Sequence, residues 1–155
     1  MAKQFTSSEI LDLMRKTSLM SLAVSDKDGQ PQSHMMLFAI DDDFTLYFAT
    51  TKDSGKHKAI QYNNKVGISV LCNEIALVQM AAEVFELQNE DAVQAIDKLA
   101  DAATELPNFW PPVLRIIKEN YAVFKVIPKS IRALDLTDST MTSAQSMFTN
   151  IRAQL

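Results

Sequence analysis

The run from Gln32 to Ile40 sets His34, Met36, Phe38 and Ile40 on one face of a strand and Ser33, Met35, Leu37 and Ala39 on the other. Successive strand residues point to opposite sides, so both faces are largely apolar and neither suits open water. A small barrel meets half of this demand by filling its interior with one face. The other face then needs a cover, which a partner subunit or a flat ligand would supply.

The flanking segments fit a barrel. Thr6-Ser7-Ser8-Glu9 has the form of a capping box, with Thr6 as N-cap, and Ile10, Leu11, Leu13 and Met14 continue it as a helix to about Thr17. Leu19 to Val24 alternates as a strand, with Met20, Leu22 and Val24 on one side. Asp28-Gly29 signals a hairpin into the two-faced run. Asp41-Asp42-Asp43 is a solvated turn without the further ligands a calcium loop requires, and a second hairpin returns through Leu46 to Ala49.

The stretch from Leu46 to Asn64 carries the most chemistry. Its strand gives way to Thr50, Thr51 and the turn Asp53-Ser54-Gly55, and then to a helix bearing Lys56 and Lys58, with Ala59, Ile60 and Tyr62 as its apolar part. Hydroxyls, orphaned helix N–H groups and ammonium groups gather there, which is the donor set a phosphate requires, the alternative being that the lysines form a solvated helix face. Gly55-Lys56 is not a Walker loop, since the upstream glycine and the following Ser or Thr are absent.

Farther along, Val66, Ile68, Val70 and Cys72 share one strand face, making Cys72 a small core residue. Ile75 to Leu87 is a long strand whose face of Ile75, Leu77, Ala81, Phe85 and Leu87 is broken by Gln79 and Glu83. A buried glutamine needs partners, so Gln79 either pairs with backbone or touches a polar ligand edge. Asn89 can cap a helix whose stripe is Ala92, Ile96, Leu99 and Ala103. Leu106 to Pro112 is a stiff loop around Trp110, which could be a lid or an interface anchor but by default plugs the barrel's end, and Val113 to Glu119 forms a short helix. A last strand, Tyr121 to Ile127, loses regular pairing at Pro128 and continues from Ile131 to Leu136 as an extended edge. The polar tail, about 137–155, keeps a weak apolar stripe at Met147, Phe148 and Ile151 that could dock on a partner.

Composition sets outer limits. At 155 residues, 47% hydrophobic and 22% charged, the chain fits one globular domain, 1–155. Its net charge of −4 lacks the basic footprint of a nucleic-acid binder. The single cysteine permits no internal disulfide, and no apolar run approaches the ~18 residues of a membrane helix. A cytoplasmic protein, without nucleic acid or membrane as partner, is the expectation.

The order Gly29-x-Pro31-x-Ser33, Leu46-Tyr47-Phe48-x-Thr50, Ser54-x-Lys56 and Asn64-x-Val66, closed by Val123-Phe124-Lys125-Val126-x-Pro128, resembles the pyridoxamine 5′-phosphate oxidase-like, FMN-binding split-barrel family. The resemblance covers roughly Leu11 to Asp135. It implies an α+β, mainly β fold, a six-stranded antiparallel split β-barrel with peripheral helices. It also implies a homodimer with FMN at the subunit interface, which would cover the second face of the two-faced run. Carried over by position, Thr50, Thr51, Ser54 and Lys56 would hold the FMN phosphate, with Lys58 as a second cation. Ser33 and the segment His34, Met35, Met36 and Leu37 would lie along the isoalloxazine, and Gln79 joins the cofactor-binding set.

Two features depart from the biosynthetic oxidase. Gly55 stands where that enzyme has an arginine beside the phosphate lysine, and its C-terminal Trp and Arg substrate motif has no counterpart, Trp110 lying too early and Arg152 standing alone. The resemblance therefore points to a shorter, general-stress-type or uncharacterised flavoprotein, an FMN-dependent oxidoreductase acting on a small organic substrate. No catalytic acid or base stands out: His34 has the setting of a core residue, and His57 is expected to be exposed. A flavin-binding electron carrier or sensor, or a deazaflavin- or haem-binding relative, is the alternative.

Overall fold

The computed structural model describes residues 3–106, 120–137 and 148–151. The N-terminal capping box forms as expected: the Thr6 hydroxyl accepts the Glu9 N–H at 3.2 Å and Glu9 Oε2 accepts the Thr6 N–H at 2.8 Å, opening α1 (Ser7–Thr17). Ser18 then turns in the left-handed region, with φ 59°, into β1 (Leu19–Ser25). The hairpin that follows uses Gly29 at φ 79°, a conformation that costs glycine nothing. It sets β2 (Pro31–Leu37) antiparallel to β1, with Leu22 opposite His34.

The two-faced run is not one strand. It breaks at Phe38, whose N–H donates to the Ser18 carbonyl at 2.9 Å. β3 (Ala39–Ile40) then pairs with β4 (Leu46–Thr51) instead of β1. The sheet order, with β5 (Lys65–Cys72), β6 (Ala76–Leu87) and β7 (Tyr121–Asp135), is β2-β1-β5-β6-β7-β4-β3, antiparallel throughout. β2 and β3 are adjacent in the chain yet lie at opposite ends of this sheet. The sheet therefore has to curl until its ends meet at Phe38, which makes it a split barrel. Among the described residues eight segments build it where six strands were expected, because the second run divides and the tail adds β8 (Phe148–Ile151).

The interior holds Met20, Leu22, Val24, Phe38, Leu46, Phe48, Ile68, Val70, Val78, Val84 and Val126, with Phe48 stacked on Phe124 at 5.0 Å between centroids. Cys72 is fully buried among them, as expected, and burial pushes its thiol pKa up. A second cluster sets Leu37, Ala39, Ala49 and Val123 against Ala95 and Leu99 of α3 (Asn89–Ala103). The cover expected from a partner or a flat ligand is thus partly the chain's own helix, and burying Leu99 contributes about 1.5–3 kcal/mol. Asn89 does not cap α3: it is the helix's first residue, at φ 52°, after Gln88, whose side chain makes no cap bond.

Other expectations are corrected. On β6 the inner face is Ala76, Val78, Met80, Ala82 and Val84, while Ile75 and Phe85 are exposed. β7 does not fray into an edge: β6 pairs along one side, and β4 and then β8 pair along the other. Pro128 is accommodated at a bulge, where Ala81 faces Ser130 and Ala82 faces Pro128, so the ladder skips a residue beside the one that has no N–H. In the tail, Phe148 and Ile151 pair with this chain's own β7, and Ile151 enters the core. Trp110 and its loop after Leu106, the Val113–Glu119 helix, Met147 and Arg152 lie outside the described residues.

Candidate functional site

β4 delivers its last buried residue, Thr50, to the base of a turn. Lys52 N–H donates to Asn120 O at 2.8 Å, Ser54 N–H to Thr51 O at 3.2 Å, and Asp53 between them takes φ 61°. Ser54 then caps α2 (Gly55–Tyr62): its Oγ accepts the His57 N–H at 3.2 Å and lies 3.2 Å from Thr50 Oγ1. The Lys58 N–H closes the first helical bond onto Ser54 O. The amides of Gly55 and Lys56 consequently have no acceptor within the helix. The two hydroxyls and the two amides lie together at the start of α2, whose helix dipole adds to their positive character, and Lys56 is carried on the same first turn.

The opposite end of the sheet arrives at the same place. A Cβ on Gly55 would lie 4.0 Å from Gln32 Oε1, so β2 runs past the start of α2. His34 lies near enough to Lys56 for the charge to be felt: burial first, then the Lys56 ammonium, lowers the imidazole's pKa below its ordinary value. His34 Nε2 is 3.4 Å from Gln32 Oε1. Among the described residues β2 pairs only with β1, so its other edge presents backbone groups with no strand partner.

The expected site residues thus divide. Thr50, Ser54, Lys56 and His34 converge, with exposed Thr51 beside them on β4 and Lys58 exposed on α2. Met36 packs toward the interior and Leu37 beneath α3. Ser33 and Met35, the latter 67% exposed, lie on the outer face, where Ser33 Oγ meets Ser21 Oγ at 2.9 Å. Gln79 belongs to a different groove on that outer face, with Ser21, Gly67, Ser69 and Arg132 among its lining. Its Oε1 accepts from Arg132 Nε at 2.9 Å, so its partner is a side chain rather than backbone.

Two features escape a reading of the sequence. His57 is not exposed but 5% accessible, against the expectation, while Tyr62, expected among the apolar part of α2, is 66% exposed. Asp41 is more than part of a solvated turn. Its carboxylate accepts the Tyr47 hydroxyl at 2.7 Å and the Lys98 ammonium at 2.9 Å, and that ammonium lies 4.5 Å from the Tyr47 ring centroid. Burial and the Asp41 bond raise the Tyr47 pKa. Burial opposes the charge on Lys98, but Asp41 outweighs it and the lysine pKa rises. This cluster ties α3 to the β3–β4 hairpin.

The pyridoxamine 5′-phosphate oxidase family model matches residues 6–135. The chain belongs to this family. The pyridoxamine 5′-phosphate oxidase fold recurs in solved structures similar to it. One is a pyridoxamine 5′-phosphate oxidase-related, FMN-binding protein from Nostoc punctiforme, 16% identical, aligned over 92% of this chain and 93% of that one with a TM-score of 0.61. Another is an F420 reductase, 24% identical over 77% of this chain and 93% of that one, with a TM-score of 0.63. A third is a haem-binding protein from Mycobacterium smegmatis, 11% identical over 86% of this chain and 55% of that one, with a TM-score of 0.65. At these identities the likeness establishes a shared fold. No curated protein sequence matches the chain.

Proposed function

We propose that this chain binds FMN, with the phosphate at the start of α2 and the ring system along the free edge of β2, and serves as an FMN-dependent oxidoreductase for a small organic substrate. The observation that carries the reading is the convergence of Thr50, Ser54, the Gly55 and Lys56 amides, the Lys56 ammonium and His34 where the two ends of the sheet meet. The donor set fits a phosphate, since one of the Thr50 and Ser54 hydroxyls donates to the other and the pair keeps one O–H to give. Thr51 and Lys58 are the remaining phosphate ligands in this reading, and His34 to Leu37 supply backbone to the ring. Bound FMN would supply the redox chemistry, and the protein would supply orientation and electrostatics.

A homodimer completes the reading. The outer face around Ser33, the exposed Met35, Gln79 and Arg132 is the surface assigned to the second copy, which lets Gln79 approach the partner's flavin. The single buried cysteine suits a cytoplasmic setting. The FMN-binding relative from Nostoc punctiforme supports the choice of cofactor.

The absorption spectrum of the purified protein, followed by FMN titration and NAD(P)H oxidation, is the test. A yellow dimer that oxidises NAD(P)H is the expected result; a yellow but inert dimer makes it a carrier or sensor. A colourless preparation that ignores added FMN rejects the reading. Haem is the second reading, with His34, half-buried on β2, as the imidazole that would ligate it. A Soret band lost in His34→Ala would select it, and a deazaflavin spectrum would place the chain with the F420 reductase.

A further inference from the structure

His57 occupies a position that the phosphate site does not itself require. It lies on α2 one turn beyond Ser54, turned inward, its ring T-shaped to Phe124 at 5.8 Å between centroids. Both ring nitrogens are engaged. Nδ1 accepts the Asp53 N–H at 3.0 Å, so the ring proton sits on Nε2. Nε2 faces the Glu86 carboxylate of β6 at 3.3 Å, with the Gln61 carboxamide 3.2 Å away.

Asp53 is the residue that turns the chain from β4 into α2, and at φ 61° it stands where a non-glycine residue stays only if its surroundings hold it. Nδ1 holds it. The His57 backbone N–H meanwhile donates to Ser54 Oγ. One residue therefore fixes the turn at two points, the Asp53 amide through its side chain and the Ser54 hydroxyl through its backbone.

We infer that His57 is a positioning residue of the anion site: through Nδ1 it locks the Asp53 turn and so sets the placement of Ser54, Gly55 and Lys56. The inference rests on the proposed phosphate site. Side-chain geometry provides the means to test it, since the Asn carboxamide oxygen can stand in for Nδ1 of histidine, whereas the longer Gln reaches only toward Nε2 and Glu86. Both substitutions remove the ring and its packing on Phe124, so a purely structural role would make them equivalent.

The experiment measures FMN and riboflavin affinity for the intact wild-type chain, His57→Asn and His57→Gln. The preference for FMN over riboflavin should fall about tenfold in His57→Gln, the size of one lost hydrogen bond, and recover in His57→Asn. Riboflavin, lacking the phosphate, should bind all three alike. A wild-type protein that binds FMN no better than riboflavin rejects the phosphate site, and the inference with it. A strong wild-type preference that Gln and Asn preserve or lose equally rejects the role of His57 alone. Amide hydrogen exchange supplies a check independent of any variant's folding: the Asp53 N–H of the wild-type protein should be protected, and rapid exchange there overturns the inference.

Discussion

Thr50 Oγ1 and Ser54 Oγ lie 3.2 Å apart, joining the buried end of β4 to the cap of α2. The same Ser54 oxygen accepts the His57 N–H. Ser54→Ala should therefore destabilise the fold by about 1 kcal/mol through the lost cap and weaken FMN in addition. Thermal denaturation with and without FMN separates the two effects. A variant whose apo stability drops while FMN affinity stays unchanged would remove Ser54 from the site.

Lys56 brings the formal charge. Charge-assisted hydrogen bonds contribute about 1.5–3 kcal/mol, so Lys56→Met should lower FMN affinity by that amount, and Lys56→Glu by more. Riboflavin affinity should hardly change in either variant. Full FMN occupancy in purified Lys56→Glu would show that the phosphate lies elsewhere.

The Asp41–Tyr47–Lys98 cluster predicts a coupling. With Lys98 and Asp41 both partly exposed, their ion pair contributes about 0.2–1 kcal/mol. A double-mutant cycle of Lys98→Met with Asp41→Asn, read by urea denaturation, should return a coupling of about that size. Additive effects would mean that this ion pair does nothing to hold α3.

Asp135 makes stability depend on pH. The Thr137 hydroxyl, the Lys3 N–H and the Thr137 N–H all donate to its carboxylate, in that order of effect, and lower its pKa below the usual value. The folded state thus favours the ionised form more than the unfolded chain does. Its stabilisation is complete above the ordinary carboxylate pKa of about 4 and is lost as pH falls through the depressed folded value. The gap in Tm between wild type and Asp135→Asn should be largest near neutrality and shrink in acid. A gap that stays constant with pH would exclude this carboxylate as the cause.

What could be read from the sequence was mostly local. Thr6 and Glu9 are three residues apart and Asp28-Gly29 is its own turn, so cap and hairpin follow from near neighbours alone. The start of α2 was readable for the same reason, since a helix start signals itself. The inner face of β6 was not, because both faces carry apolar residues and only the direction in which the sheet curls decides between them. His57 was misjudged because Glu86 lies 29 residues away, and Asp41 because Lys98 lies 57 away. Such partners leave no mark on a local pattern. Gln79 fell between these cases: its need for a partner was evident, but the identity of Arg132 was not.

β7 has a kinetic consequence. It is hydrogen-bonded to β6 along one side and to β4 along the other, and these pairings bridge chain segments made far apart. During synthesis, β1 and β2 can zip as soon as they emerge, but β4 waits with an unsatisfied edge until residues 121–126 arrive. Closing such long loops is slow, and the unpaired edge is meanwhile open to other chains. The start of α2, fastened to the end of β4, is therefore assembled late, and aggregation during expression should track how long that edge stays bare.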